Sequence, residues 1–162
     1  MTSHTTSGNV LFEKLAIVSS FSQKLGKILT SYFAPLVDIS LKLWIADTFF
    51  QSGLTKIQTF DTTILLFSYE YTVPLLSPVF AAYLATGAEL ILPVMLVLGL
   101  FTRFSTAGLF ILNFVAAISY PDLSEAGMQD HYIWGMVLLV ILTNRTHKLT
   151  LDYYVSTFMK NN

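Results

Sequence analysis

The chain has 162 residues, of which 54% are hydrophobic, 14% aromatic and only 12% charged, whereas a soluble domain carries roughly a quarter charged residues to face water. Nine basic and ten acidic residues leave a formal net charge of −1, which gives no electrostatic footprint for nucleic acid. With no cysteine, disulfides, thiolate metal sites, cysteine nucleophiles and thioether-bound haem are excluded, so any redox step has to use a bound ligand or a partner protein.

In chain order, the opening residues MTSHTTSGN are polar. They lack both a basic segment followed by an apolar core and a small-residue cleavage site, so no cleaved signal peptide is predicted. From Val10 to Phe33 the apolar residues Leu11, Leu15, Val18, Leu25, Ile28 and Tyr32 recur at helical spacing, with Lys14, Ser22, Lys24 and Lys27 largely between them. Residues 1–31 thus read as a polar tail and an amphipathic helix, either lying at the membrane interface or packed on the remaining helices.

Crossing roughly 30 Å of hydrocarbon takes about 20 helical residues. Four segments are predicted to do so: 32–53, 73–100, 104–120 and 129–144, the last being the shortest, with 145–162 as a tail. Pro93 predicts a bend in the second span, where neighbouring helices can satisfy a freed carbonyl. With a cytoplasmic amino terminus, Lys14, Lys24, Lys27, Arg103, Arg145, Lys148 and Lys160 all lie inside and only Lys56 lies in an outer loop. Asp61, Glu70, Asp122, Glu125 and Asp130 then fall outside, with Tyr69, Tyr71, Tyr120, Tyr132 and Trp134 at the height of an aromatic belt. Both termini are predicted cytoplasmic.

An ionisable group in the apolar core costs on the order of 2.5–3.5 kcal/mol, so each needs a partner or a reason. Counting a rise of ~1.5 Å per residue from the cytoplasmic ends puts Lys42, Glu89 and Asn113 in one layer, each ~14–16 Å deep. The expectation is a buried Lys42–Glu89 ion pair supported by Asn113, with Asp38 one turn below Lys42 as a second acceptor. This layer either fixes helix register or forms a site, a proton path or the floor of a quinone pocket. Asp47 sits higher on the same helix, with Gln51 on its face. Trp44, Tyr83, Thr86 and Gly87 are further candidates to border such a pocket.

Lys56, Glu70 and His131 are outer-face candidates, and Met128, Asp130 and His131 form a weak metal-binding set. The alternative for Asp130 and His131 is a helix start bonded to the outer loop. No Walker loop, dinucleotide glycine fingerprint, zinc spacing or credible Ser-His-Asp set occurs, which disfavours soluble enzyme chemistry.

The run LKLWIADTFFQSGLTKIQTF (41–60) followed by AAYLATGAELILPVMLVLGLFTRFSTAGL (81–109) resembles the DoxX family of small four-helix bacterial membrane proteins. The likeness rests on Lys42, on Ser52-Gly53 followed by Lys56, on Ala88-Glu89-Leu90, on Leu98-Gly99-Leu100 with Thr102-Arg103, and on a closing segment Lys148 to Asp152. Lys42 stands where the family usually has arginine, and TNRTH (143–147) replaces a Gly-Pro-Gly type ending. FSYEYTVPLLSP (67–78) and ISYPDLSEAGMQDHYIWG (118–135) resemble a narrower subset associated with bufferin-type peptide maturation and metal stress.

The expectation is an all-α integral membrane four-helix bundle of the bacterial inner membrane, held in the bilayer with a partner protein of its pathway; a homo-oligomer is left open. The resemblance implies an accessory protein of a redox or metal-stress pathway, supporting maturation or export of a metal-binding peptide, and not an enzyme on its own. The alternatives are a quinone-binding subunit of an oxidoreductase, with no covalent cofactor, and a small transporter.

Overall fold

A computed structural model describes residues 4–144, 152, 157 and 158, with side chains described from Glu13 onward. The described backbone is helical, without a strand: α1 His4–Ile28, a π-helical turn Leu29–Phe33, α2 Ala34–Gln58, α3 Phe60–Tyr69, α4 Pro78–Leu98, α5 Thr102–Ser119 and α6 Glu125–Thr143. The chain divides into two compact units, 1–38 and 39–162.

In the first unit, α1 covers the predicted amphipathic segment and ends in the π turn. Gly26 lies near this end, and the Thr30 hydroxyl bonds back to the Gly26 carbonyl at 2.9 Å, one of the side-chain bonds that loosen a helical ladder. The Ala34 amide then bonds the Leu29 carbonyl. Such a wide turn takes up one residue more than a regular helical turn. Asp38 belongs to this unit and Lys42 to the other.

In the second unit the hydrophobic core draws Ile45 and Phe49 from α2, Leu96 from α4, Leu109 from α5 and Leu138 and Ile141 from α6. A second cluster packs α3 on α4: Phe67 meets Ala81, Ala82 and Ala85, flanked by Phe60, Ile64, Tyr71 and Val73. The alanines let α3 approach closely, as small residues do between membrane helices.

Helix ends follow local rules. Ser77 is extended and Pro78 opens α4, where its missing N–H costs nothing. At the other end Gly99 adopts the left-handed conformation with φ 65°. Its N–H bonds Leu96 O at 3.1 Å, and Leu100 N–H bonds Met95 O at 2.9 Å, closing two carbonyls that the helix leaves open. Helical backbone continues through Pro93. In α6 the Ser124 hydroxyl accepts from Gly127 N–H at 3.1 Å, and Glu125 sits in the first turn, as the helix dipole favours.

Helix α5 is capped from a distance. Asp152 takes Phe101 N–H on Oδ1 and Thr102 N–H on Oδ2, each at 2.8 Å, while its own N–H bonds Gly99 O at 3.0 Å. Partial burial works against ionisation of this carboxyl, but the backbone bonds from Thr102 and Phe101 and the charge of Lys42 outweigh it and hold its pKa below the usual value. A depressed pKa gives stability that is present above the unfolded-state value of about 3.9 and lost as pH falls through the folded one. Asp152→Ala is therefore expected to cost about 1 kcal/mol at neutral pH. In detergent melts run from pH 6 to pH 3, the variant should lose less stability than wild type; parallel curves would refute this role.

Among the described residues three helical stretches are long and apolar enough to cross a membrane: Glu13–Gln58, which takes in the π turn, Pro78–Leu98 and Thr102–Ser119. The predicted fourth span lies within α6, whose first two turns carry Glu125, Gln129, Asp130 and His131 and dilute its apolar character. Helix α4 begins at Pro78 instead of residue 73. Helix α2 runs to Gln58 instead of residue 53, which puts Lys56 on its last turn. Residues read as an outer loop contain α3.

Candidate functional site

The pattern SGLTK places Ser52 and Lys56 one turn apart on α2. Lys56 Nζ lies 2.7 Å from Ser52 Oγ, 2.9 Å from Glu89 Oε1 and 2.8 Å from Glu89 Oε2. This ion pair is largely enclosed, with side-chain exposures of 20% for Lys56 and 9% for Glu89. Gly53 allows it to form: a Cβ there would come within 3.0 Å of Glu89 Cβ and of Leu90 Cγ and Cδ2. A side chain at Gly53 would push α4, and with it the carboxylate, away from α2.

That contact corrects the expected Lys42–Glu89 pair. Gly53 sits beside Glu89, and Lys42 lies three turns, roughly 16 Å, back along α2. Depth counting failed because it took residue 32 as the lower end of the first span, whereas helical backbone is continuous from α1 through the π turn into α2 and no helix end lies there. Lys42 is buried toward the other end of the bundle, where its charge acts on Asp152.

Asn113 also has a different partner from the one expected. Its Nδ2 donates to His131 O at 2.9 Å, and its Oδ1 meets His131 Nδ1 at 2.8 Å. Gly135 permits this approach, since a Cβ there would lie 3.3 Å from Asn113 Nδ2. The imidazole sits edge-on to Trp134 with centroids 4.9 Å apart, and Trp134 in turn meets Phe49 at 6.0 Å. His131 is thus half-buried and held on Asn113, while Asp130 is exposed and Met128 half-buried. Among the described residues no group of three metal-ligating side chains converges.

These residues enclose a chamber of about 200 Å³, walled by Ser52, Lys56, Glu89, His131 and Trp134 and reached by Tyr71 and Tyr120. On the other side of the same ion pair, an apolar groove of about 390 Å³ runs between Ala85, Ala88 and Leu92 of α4 and Gly108, Ile111 and Val115 of α5. Lys56, Glu89, Tyr71, Leu112 and Ala116 line both spaces. Ser119 Oγ, also on the groove wall, is buried without a hydrogen-bond partner.

An aromatic stack covers the Lys56 end. Phe67 stacks on Tyr71 at 4.8 Å and Tyr71 on Tyr120 at 5.1 Å, while Thr72 N–H bonds Ser119 O at 2.7 Å and ties the loop to the end of α5. Burial, then the neighbouring Tyr120, Glu89 and Glu70, push the Tyr71 phenol above its usual pKa. Glu70 does the same to Tyr120. Both tyrosines therefore keep their protons near neutral pH.

The other candidates fall elsewhere. Asp47 is exposed and accepts from Gln51 Nε2 at 3.3 Å, beside a separate shallow groove that includes Pro93. Glu70 lies at the aromatic cover. Sequence reasoning overlooked Ser52, Tyr71 and Tyr120 as site residues. The four-residue spacing of Ser52 and Lys56 was the one available signal.

These features define a helical membrane protein with a charged pair held between a polar chamber and an apolar groove. The chain belongs to the DoxX family, whose model matches residues 38–121. It is 33% identical over 119 residues to an uncharacterised Haemophilus influenzae protein, covering 69% of this chain and 78% of that one. No solved structure matches it. The family match takes in Lys56, Glu89 and Asn113, whereas His131 lies beyond it.

Proposed function

We propose that this DoxX protein is an inner-membrane accessory subunit of a redox pathway that holds an amphipathic ligand of the quinone class for a partner protein. The carrying observation is that one ion pair, Lys56–Glu89, lines both the chamber and the groove. A polar ring would sit at the pair with its apolar tail between α4 and α5. The groove's volume falls within the roughly 300–1,000 Å³ usual for small-molecule sites, and its apolar wall with a few convergent polar groups is the usual chemistry of such sites. A bound quinone would supply the electron carrier, and the chain's own residues would hold and orient it.

In this reading α2, α4, α5 and α6 cross the inner membrane and both termini are cytoplasmic, an orientation supported by the seven-to-one bias of basic residues. The chamber then opens toward the outer side. The metal-stress, peptide-export and transporter readings rest on the sequence resemblance and the outer-loop residues. Chemical extraction of protein purified in mild detergent tests the proposal. A quinone close to one per chain is expected, strongly reduced in Glu89→Gln. Absence of quinone, together with no binding of added decyl-benzoquinone, would overturn it.

A further inference from the structure

We propose that the chamber selects the reduced, hydroxyl-bearing form of its ligand over the oxidised form, with His131 as the residue that sets this choice. The proposal rests on the quinone-class reading above and deepens it.

A lysine ammonium has three donors, and Lys56 directs all three, one to Ser52 Oγ and two to the Glu89 oxygens. None is left for a ligand carbonyl. Thr48, also on the wall, donates its hydroxyl to Trp44 O at 3.0 Å. The tautomer of His131 follows from its partner. Asn113 Nδ2 donates to His131 O, which fixes the amide so that Oδ1 faces the ring. Two acceptors do not face each other at 2.8 Å, so Nδ1 carries the proton and neutral imidazole has its lone pair on Nε2. Nε2 makes no hydrogen bond among the described residues, on a ring that lines the chamber.

The fixed acceptors at the site are therefore His131 Nε2 and the spare lone pairs of Glu89. Against them stands one fixed donor, the indole N–H of Trp134. Hydroxyls of Ser52, Tyr71, Tyr120 and Ser119 serve either role and favour neither form. A quinone brings only carbonyl acceptors and meets lone pairs; a quinol brings two O–H donors. The titratable groups facing His131 across the chamber are Lys56 and Glu89, with Tyr71 and Tyr120 toward its end.

The test compares decyl-benzoquinol and decyl-benzoquinone binding to the full-length protein in detergent, anaerobically at pH 8, above the ordinary range of histidine titration. Wild type is expected to bind the quinol about tenfold more tightly, the effect of one hydrogen bond made or left unmade. For a two-electron couple this raises the midpoint potential of the bound ligand by about 30 mV. His131→Phe should bring the ratio close to one, and Asn113→Leu, which frees the ring to change tautomer, should lower it as well.

Nitrogen-15 spectra of the ring supply a readout that requires no variant to fold: Nε2 of His131 should be unprotonated in wild type. Equal or tighter quinone binding, a protonated Nε2 at pH 8, or a ratio untouched by His131→Phe would each overturn the selectivity. Equal binding of the two forms leaves the ligand-site reading in place. Failure of both to bind removes that reading too.

Discussion

Glu89→Leu is expected to destabilise the protein by about 3–5 kcal/mol, the cost of leaving one member of a buried ion pair without its partner. The loss should fall at the lower end of this range, because Lys56 stands on the last turn of α2 and can extend toward the interface. Removing both charges in Glu89→Leu/Lys56→Met should recover most of the loss, since apolar replacement of a buried pair is often close to neutral. Combining Glu89→Leu with Lys42→Met, by contrast, should show no such recovery. Unfolding in mixed micelles, analysed as two double-mutant cycles, measures both couplings. A stronger coupling to Lys42 than to Lys56 would refute the register that Gly53 imposes.

The second large effect concerns the groove. Ala88 is half-exposed on its wall, so Ala88→Phe should fill the space where the ligand tail lies without the overpacking that a fully buried site would suffer. Affinity for decyl-benzoquinone is expected to fall at least a hundredfold, about 2.7 kcal/mol. Ala85→Phe makes a poorer probe: Ala85 is also buried in the cluster beneath α3, and overpacking there costs typically 1–3 kcal/mol by itself. Unchanged affinity in Ala88→Phe would remove the groove from the site, leaving only the chamber.

Thr63 accounts for α3: its hydroxyl lies 3.0 Å from Lys56 O, satisfying a carbonyl exposed where α2 ends. That bond joins the two helices across Thr59 and aims Phe67 and Tyr71 over the ion pair. The apolar spacing of Phe60, Ile64 and Phe67 was visible in the sequence. A ten-residue helix is too short to cross a bilayer, and a search for spans passes over it.

What the sequence determined by itself was whatever depends on composition and short-range order. Scarce charge required lipid as the solvent. Runs of apolar residues required helices, because a backbone in hydrocarbon must satisfy its own hydrogen bonds. Gly99 and Pro78 marked helix ends through their own backbone preferences. Glu89 was recognisable as a site residue because a buried carboxylate must be neutralised by something.

Only the tertiary structure decided what neutralises it. Lys42 and Lys56 are both plausible by charge, and the choice depends on how far α4 slides along α2. Close contact at Gly53 sets that slide by placing Glu89 and Leu90 against it; counting residues from estimated helix ends misses it by three turns. The same holds for His131, whose ring is turned inward by Asn113 across the α5–α6 contact at Gly135. Partner choice is a matter of interhelical register, and steric contacts between residues far apart in the chain set that register.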